Sequence, residues 1–278
     1  MAEKNITTWE QFKAALTENV TEDTTYNIKN NLDATNDILT DRIKCVSPYN
    51  KIFMGNDYSI NGITAYGEVI VFYTSSSTNY KYRFYNIKFT NFMVESGTFT
   101  SLCRDTGELF INCFFNGVCK KFIGSVSSSR ASNFTKCSFN VRCENFSMGG
   151  TNILDSCYII LEPLQKTCIF NTNSTLQNSY VEGVIKNSFS SSNYLTPQFK
   201  ENNVFNCKVI ITNYSDSTTY KTYSSTAPTL INRDKLLQSD GVTPIKNITS
   251  PTNIYFLTDK QLKNKDYIQE NTTFPLYG

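Results

Sequence analysis

The segments "FINCFFNGVC" (Phe110 to Cys119) and "FTKCSFNVRC" (Phe134 to Cys143) decide the fold. In each, the opening Phe is followed three residues later by Cys, five later by Phe and nine later by Cys, so every matched pair lies 24 residues apart. Looser copies flank them: "FYNIKFTNF" around Ile87, "LDSCYIIL" around Cys157, "LQNSYVEG" around Ser179 and "VFNCKVII" around Cys207. Through Ile87, Cys113, Cys137, Cys157, Ser179 and Cys207 the successive spacings are 26, 24, 20, 22 and 28 residues. Self-similarity at this period marks a solenoid whose units bury their faces only against their neighbours. The units alternate apolar and polar residues with period two and carry no 3.6-residue stripe, so they read as strands. The expected fold is all-β, a parallel β-helix.

Composition agrees. A chain of 278 residues can bury a sizeable core. Its 20 Phe and 17 Tyr, with abundant Thr, suit strands, while Asn and Ser suit the bends between them. With 26 Lys+Arg against 24 Asp+Glu, charge points neither to nucleic acid nor to an anionic membrane. No apolar run reaches the length of a membrane-spanning helix. The polar start "MAEKNITTWEQF" lacks the pattern of a signal peptide, and the nine cysteines at rung spacing read as reduced core thiols. The expected structural core is Cys113, Phe115, Cys119, Cys137, Phe139, Cys143, Cys157 and Cys207. Zinc on Cys113, Cys119, Cys137 and Cys143 is the rival reading. C-x5-C is not a knuckle spacing and the chain has no His, so the expectation is no metal and no cofactor.

Three regions follow: a capping helix and entry over residues 1–25, the parallel β-helix over 26–213, and a C-terminal cap or arm over 214–278. Thr7 or Thr8 can cap the first helix, with Glu10 or Gln11 completing a capping box and Trp9, Phe12, Ala15 and Leu16 on one face. The last region holds four of the seven prolines, and "TDKQLKNKDYIQ" (Thr258 to Gln269) predicts a short helix capped by Thr258 or Asp259.

The order of "TWEQFKAAL", "NLD" and "KIFMGNDYSINGI" resembles the opening of right-handed β-helix proteins of the pectate-lyase-like superfamily, with Ile52, Gly55, Asn56, Ile60, Gly62 and Ile63 on the motif and Asp57 where a second Gly is usual. The resemblance covers about residues 7 to 212 and implies architecture more than function. Active members of that superfamily resemble one another in an acidic calcium cluster with an Arg or Lys base. Here no Asp pair accompanies Arg42, Arg83, Arg104, Arg130, Arg142 or Arg233 at alternate strand positions, and Arg104, Asp105 and Glu108 are the closest charge cluster. The C-terminal "LT-x-x-QL-x-N-x-x-YI" followed by "FP" resembles endings of β-helix surface proteins and phage proteins from gut bacteria.

Without His, Ser-His-Asp and Cys-His sites are impossible. Two carboxylates from different rungs would suffice for glycoside cleavage, and Glu144, Asp155, Glu162 and Glu182 are candidates. No phosphate-binding loop is present, since Gly149-Gly150 stands alone. The expected function is therefore non-enzymatic: a structural or attachment protein of a phage virion (capsid decoration, head fibre or tail component), made in the host cytoplasm. Its expected partners are other virion proteins or itself, as a homotrimer, and bacterial surface polysaccharide, with no nucleic acid or membrane. The alternatives are a polysaccharide-cleaving enzyme of the tailspike kind and an adhesin on the bacterial cell surface. Candidate ligand contacts are Tyr73, Tyr80, Tyr82 and Tyr194, expected on loops.

Overall fold

The computed structural model describes all residues except 46, 74–81, 104–108, 126–132, 149–151, 166–167, 171–173, 188–193, 250 and 276–278, with the backbone alone at 71–73, 101–103, 109, 124–125, 147–148 and 187. The chain is a parallel β-solenoid of about nine turns. One wall is a nine-stranded sheet that runs from Ala2–Ile6 through Thr24–Ile28, Lys51–Met54, Tyr82–Tyr85, Leu109–Ile111, Asn133–Thr135, Ile153–Asp155 and Thr175–Gln177 to Gln198–Glu201. The others belong to a 16-stranded sheet whose long members bend around the coil. Lys88–Cys103, for example, pairs in turn with Ser59–Asn61, Thr64–Ala65 and Ile70–Tyr73.

The repeat read from sequence is the register of the ladder: Phe110 pairs with Phe134, Phe115 with Phe139 and Cys119 with Cys143. Parallel in-register pairing stacks like on like. Tyr26, Phe53, Phe84, Phe110 and Phe134 form one column with centroids 4.7–5.1 Å apart. Phe89, Phe115 and Phe139 form a second at 5.2 and 5.1 Å. Phe99, Phe122 and Phe146 form a third, both steps 5.4 Å. The columns meet edge to face, as Phe115 does with Phe110 at 5.4 Å and Phe122 at 5.2 Å, the arrangement that aromatic quadrupoles favour.

From Tyr82–Tyr85 onward, each passage from the short-sheet strand to the long-sheet strand is a two-residue corner. Its first residue is left-handed: Asn86, Asn112, Lys136, Ser156, Asn178 and Asn202 have φ of 47–55°. Asn tolerates this region better than most residues, which explains its recurrence. Its amide also bonds along the stack, Asn112 to Asn86 at 2.8 Å and Asn202 to Asn178 at 3.1 Å. The second corner residue points inward and forms the column Ile87, Cys113, Cys137, Cys157, Ser179, Asn203. The Cys137 thiol donates to the Phe110 and Thr135 carbonyls at 3.4 Å, and Cys157 does likewise to Phe134 and Asp155. The Ser179 hydroxyl repeats this toward Leu154 and Gln177, and Asn203 toward Leu176.

The column corrects one expectation. The residue that follows Ser179 is Asn203, not Cys207, which pairs instead with Gly183. Both positions share the inward parity, so period-two alternation does not separate them. The eight described cysteines are all buried free thiols, including Cys113, Cys119, Cys137, Cys143, Cys157 and Cys207. Phe115 and Phe139 are buried with them.

Helix α1 (Trp9–Thr17) closes the N-terminal end. The Thr8 side chain accepts from Gln11 N, and Trp9, Phe12, Ala15 and Leu16 are the buried face. Phe12 meets Phe53 edge-on at 5.4 Å, and Trp9 Nε1 donates to Asp37 at 2.6 Å. The helix's last carbonyls are satisfied by Lys51, a fully buried lysine whose Nζ donates to Ala15, Leu16 and Glu18 oxygens at 2.8, 3.2 and 2.6 Å. Burial pushes its ammonium pKa down to about 8.

The ends also differ from expectation. Residues 1–25 include a first-turn strand, since Ala2–Ile6 pairs with Thr24–Ile28. The ladder also runs past residue 213: Thr229–Asn232 pairs with Val204–Ile211, and Ile254–Leu257 with Thr229–Asn232. The single C-terminal helix becomes two, α2 (Asp259–Leu262) and α3 (Lys265–Asn271). Thr258 and Gln261 form a capping box on α2, and the Asn264 side chain captures Tyr267 N to start α3.

Phe115→Ala and Phe139→Ala should each cost about 3–5 kcal/mol in chemical denaturation, because the neighbouring rungs cannot collapse onto the cavity. A change near zero for both would contradict the stacked columns. For Lys51, the folded-state pKa of about 8 lies below the ordinary 10.5, so the unfolded chain binds more protons between those values. Lys51 therefore adds stability as pH rises from 8 toward 10.5. Melting curves of wild type and Lys51→Met across that window should diverge in favour of wild type with rising pH, whereas a constant difference would contradict the shift.

Candidate functional surface

Because side chains alternate along each strand, filling the coil leaves a second set facing outward on the long sheet. On Ser138–Met148, Tyr158–Pro163, Tyr180–Asn187 and Val204–Ile211, register aligns Ser138, Tyr158, Tyr180 and Val204 in one outward row. Asn140, Ile160, Glu182 and Asn206 form the next, and Arg142 lies opposite Glu162. Tyr158 and Tyr180 stack at 5.1 Å with nearly parallel rings, and Tyr158 is 46% exposed.

A hydrogen-bonded chain runs along this face. Tyr180 OH donates to Glu182 Oε2 at 2.6 Å and accepts from Asn206 Nδ2 at 3.0 Å. Asn232 Nδ2 donates to Asn206 Oδ1 at 2.8 Å and to Asp259 Oδ1 at 3.0 Å, while Lys235 holds the Asn206 carbonyl at 3.1 Å. Partial burial, then the Glu182 carboxylate, pushes the Tyr180 phenol up to about 12, so at neutral pH it stays a donor. The result is a fixed strip of aromatic faces, amides and carboxylates, the group types that hold sugar rings and hydroxyls.

Of the carboxylate candidates, Glu162 and Glu182 share this face on adjacent strands, offset by two residues. Strand spacing and rise place their Cα atoms about 8 Å apart. Asp155 lies on the short sheet, where it accepts from Ser156 and Asn178, and Glu144 accepts from Gln165. Arg104, Asp105 and Glu108 lie outside the described residues.

The tyrosine expectations divide. Tyr82 is a correction: it is buried, and its hydroxyl donates to the Leu16 carbonyl at 3.1 Å, because its inward parity places it under α1. Tyr194 stacks on Tyr223 at 3.9 Å, with the Lys221 ammonium 4.5 Å from its ring centre. Tyr80 and the side chain of Tyr73 lie outside the described residues. Tyr158 and Tyr180 were not singled out from sequence, although the signal was there: each directly follows an inward corner residue, and that parity faces outward.

Five of the described thiols are shifted away from reactivity. Burial raises the pKa of Cys113, Cys119, Cys137 and Cys207, and contact with Cys168, then burial, raises that of Cys143. A nucleophilic thiol needs the opposite shift. Among the described residues, no three His, Cys, Asp or Glu are grouped to hold a metal. No family model, curated protein or solved structure matches the chain. The solenoid therefore stands on its own register, and that register does not carry a kinship with the pectate-lyase-like superfamily.

Proposed function

We propose that this protein is a non-enzymatic structural and attachment module, a β-solenoid that meets bacterial surface glycan through the outward strip of Tyr158, Tyr180, Glu182 and Asn206. Its setting on this reading is a phage particle, as a capsid decoration, head fibre or tail component. The observation that carries the proposal is the division of labour between the two sides of each strand. The described thiols are sealed inside, while a stacked tyrosine pair with anchored amides faces out. The resemblance of the C-terminal sequence to phage and surface β-helix proteins supports the setting. A cleaving enzyme of the tailspike kind is the second reading, favoured by Glu162 and Glu182 on one face of adjacent strands.

A reducing-sugar release assay on a panel of bacterial surface polysaccharides, run beside a glycan-binding array, separates the two. The expected result is binding without release, weakened about tenfold by Tyr158→Ala or Tyr180→Ala through loss of ring stacking. Release that disappears in Glu182→Gln would establish the enzyme instead. Neither binding nor release would sink the glycan reading and point to protein partners alone.

A further inference from the structure

A cavity of about 460 Å³ lies at the C-terminal end of the coil, within the 300–1,000 Å³ range of small-molecule sites. Its lining includes Arg233, Lys246, Tyr255, Tyr267 and Asn271, with Ile254 to Leu257 all contributing. Alternate residues of a strand face opposite sides, so four consecutive lining residues mean that the cavity runs along the strand's edge. That edge is the end of the long sheet: among the described residues Ile254–Leu257 pairs with Thr229–Asn232 alone, Ile254 N is taken by the Pro251 carbonyl at 3.2 Å, and Phe256 directs its backbone N–H and C=O away from the ladder.

The charges here are unbalanced. Neither Arg233 nor Lys246 has a carboxylate partner among the described residues, and Asp234 and Asp259 beside them are engaged elsewhere. Asp234 accepts from Asp259 N at 2.8 Å, and Asp259 is taken by Lys263 and Asn232. In the groove formed by Thr40, Asp41, Arg42, Lys44, Gly67 and Glu68, by contrast, Arg42 is paired with Glu68 at 2.9 Å. Asn271 donates its Nδ2 to the Tyr267 carbonyl at 2.9 Å, leaving Oδ1 to accept.

We infer that this cavity binds a carboxylated sugar, a uronic acid or similar acidic monosaccharide unit. The carboxylate sits between Arg233, whose planar fork suits it, and Lys246. The ring lies against Tyr255 or Tyr267, and its hydroxyls meet Asn271 Oδ1 and the Phe256 backbone. An acidic peptide added as a further strand fits less well, since the four-residue edge offers only a short ladder and Pro251 precedes it. The inference goes beyond the outward strip and uses none of its residues.

Saturation-transfer NMR and calorimetry on the full chain, with glucuronic acid, glucose and a short oligoglutamate peptide, test it. Glucuronic acid should bind and weaken with added salt, glucose should not bind, and Arg233→Gln with Lys246→Gln should weaken glucuronic acid binding at least about tenfold without lowering the melting temperature. Tyr180→Ala should leave it unchanged, so failure of the outward-strip reading and failure of this one are separable. Equal binding of glucose, undiminished binding by the double variant, no glucuronic acid binding, or preference for the peptide would each overturn it.

Discussion

The structure depends on what happens at the corner between the two sheets. One residue turns left-handed, and from Cys113 onward the next sends a donor inward to carbonyls of its own strand and of the preceding turn. The own-strand carbonyls already accept a backbone N–H across the ladder, Thr135 O from Asn112 N and Asp155 O from Lys136 N, both at 2.9 Å, so the inward donor adds a second bond, and Ile87 holds the first place in the column without one. Cysteine is small and apolar enough for the core yet still carries a weak donor. Toward the C-terminus the same position becomes Ser179 and then Asn203, each closing the same kind of contact. Three of the nine cysteines, Cys113, Cys137 and Cys157, thus have a structural role at the corner.

Once the corner fixes register, everything inward follows from repetition. Identical parity on successive turns brings Phe over Phe and Cys over Cys, so one long core is assembled from units that could not fold singly. The coil's N-terminal end has no neighbouring turn, and there α1 with its buried Lys51 takes the neighbour's place. Over the middle turns the outward parity is left for the tyrosine, amide and carboxylate strip, while toward the C-terminus it packs, as Val204 does against Leu230, Leu257 and Ile268.

Much of this was legible in the sequence. The twin decamers fixed period, parallel pairing and the burial of Phe115 and Phe139, and the cap signals located α1 with its buried face. What escaped had physical reasons. Ala2–Ile6 has a burial pattern with a single buried residue, Ile6, and gains its strand from pairing with Thr24–Ile28. Beyond residue 213 the turns are interrupted by prolines, yet Thr229–Asn232 and Ile254–Leu257 still join the ladder. Cys207 was aligned four residues out of step because inward parity recurs every second residue. Tyr82 looked like a loop residue because only the third dimension puts it beneath Leu16. The outward strip was the hardest to see, since its members lie about 20 residues apart and are linked only through register.

The central claim is that the cysteines are sealed, reduced members of an in-register core. The most direct test is to count thiols with a reactive aromatic disulfide, first on the native chain and then in denaturant without reductant. The account predicts that the eight described thiols stay silent in the native state and that all nine cysteines react on unfolding. Rapid reaction of several thiols in the native chain, or fewer than nine after unfolding, would contradict it.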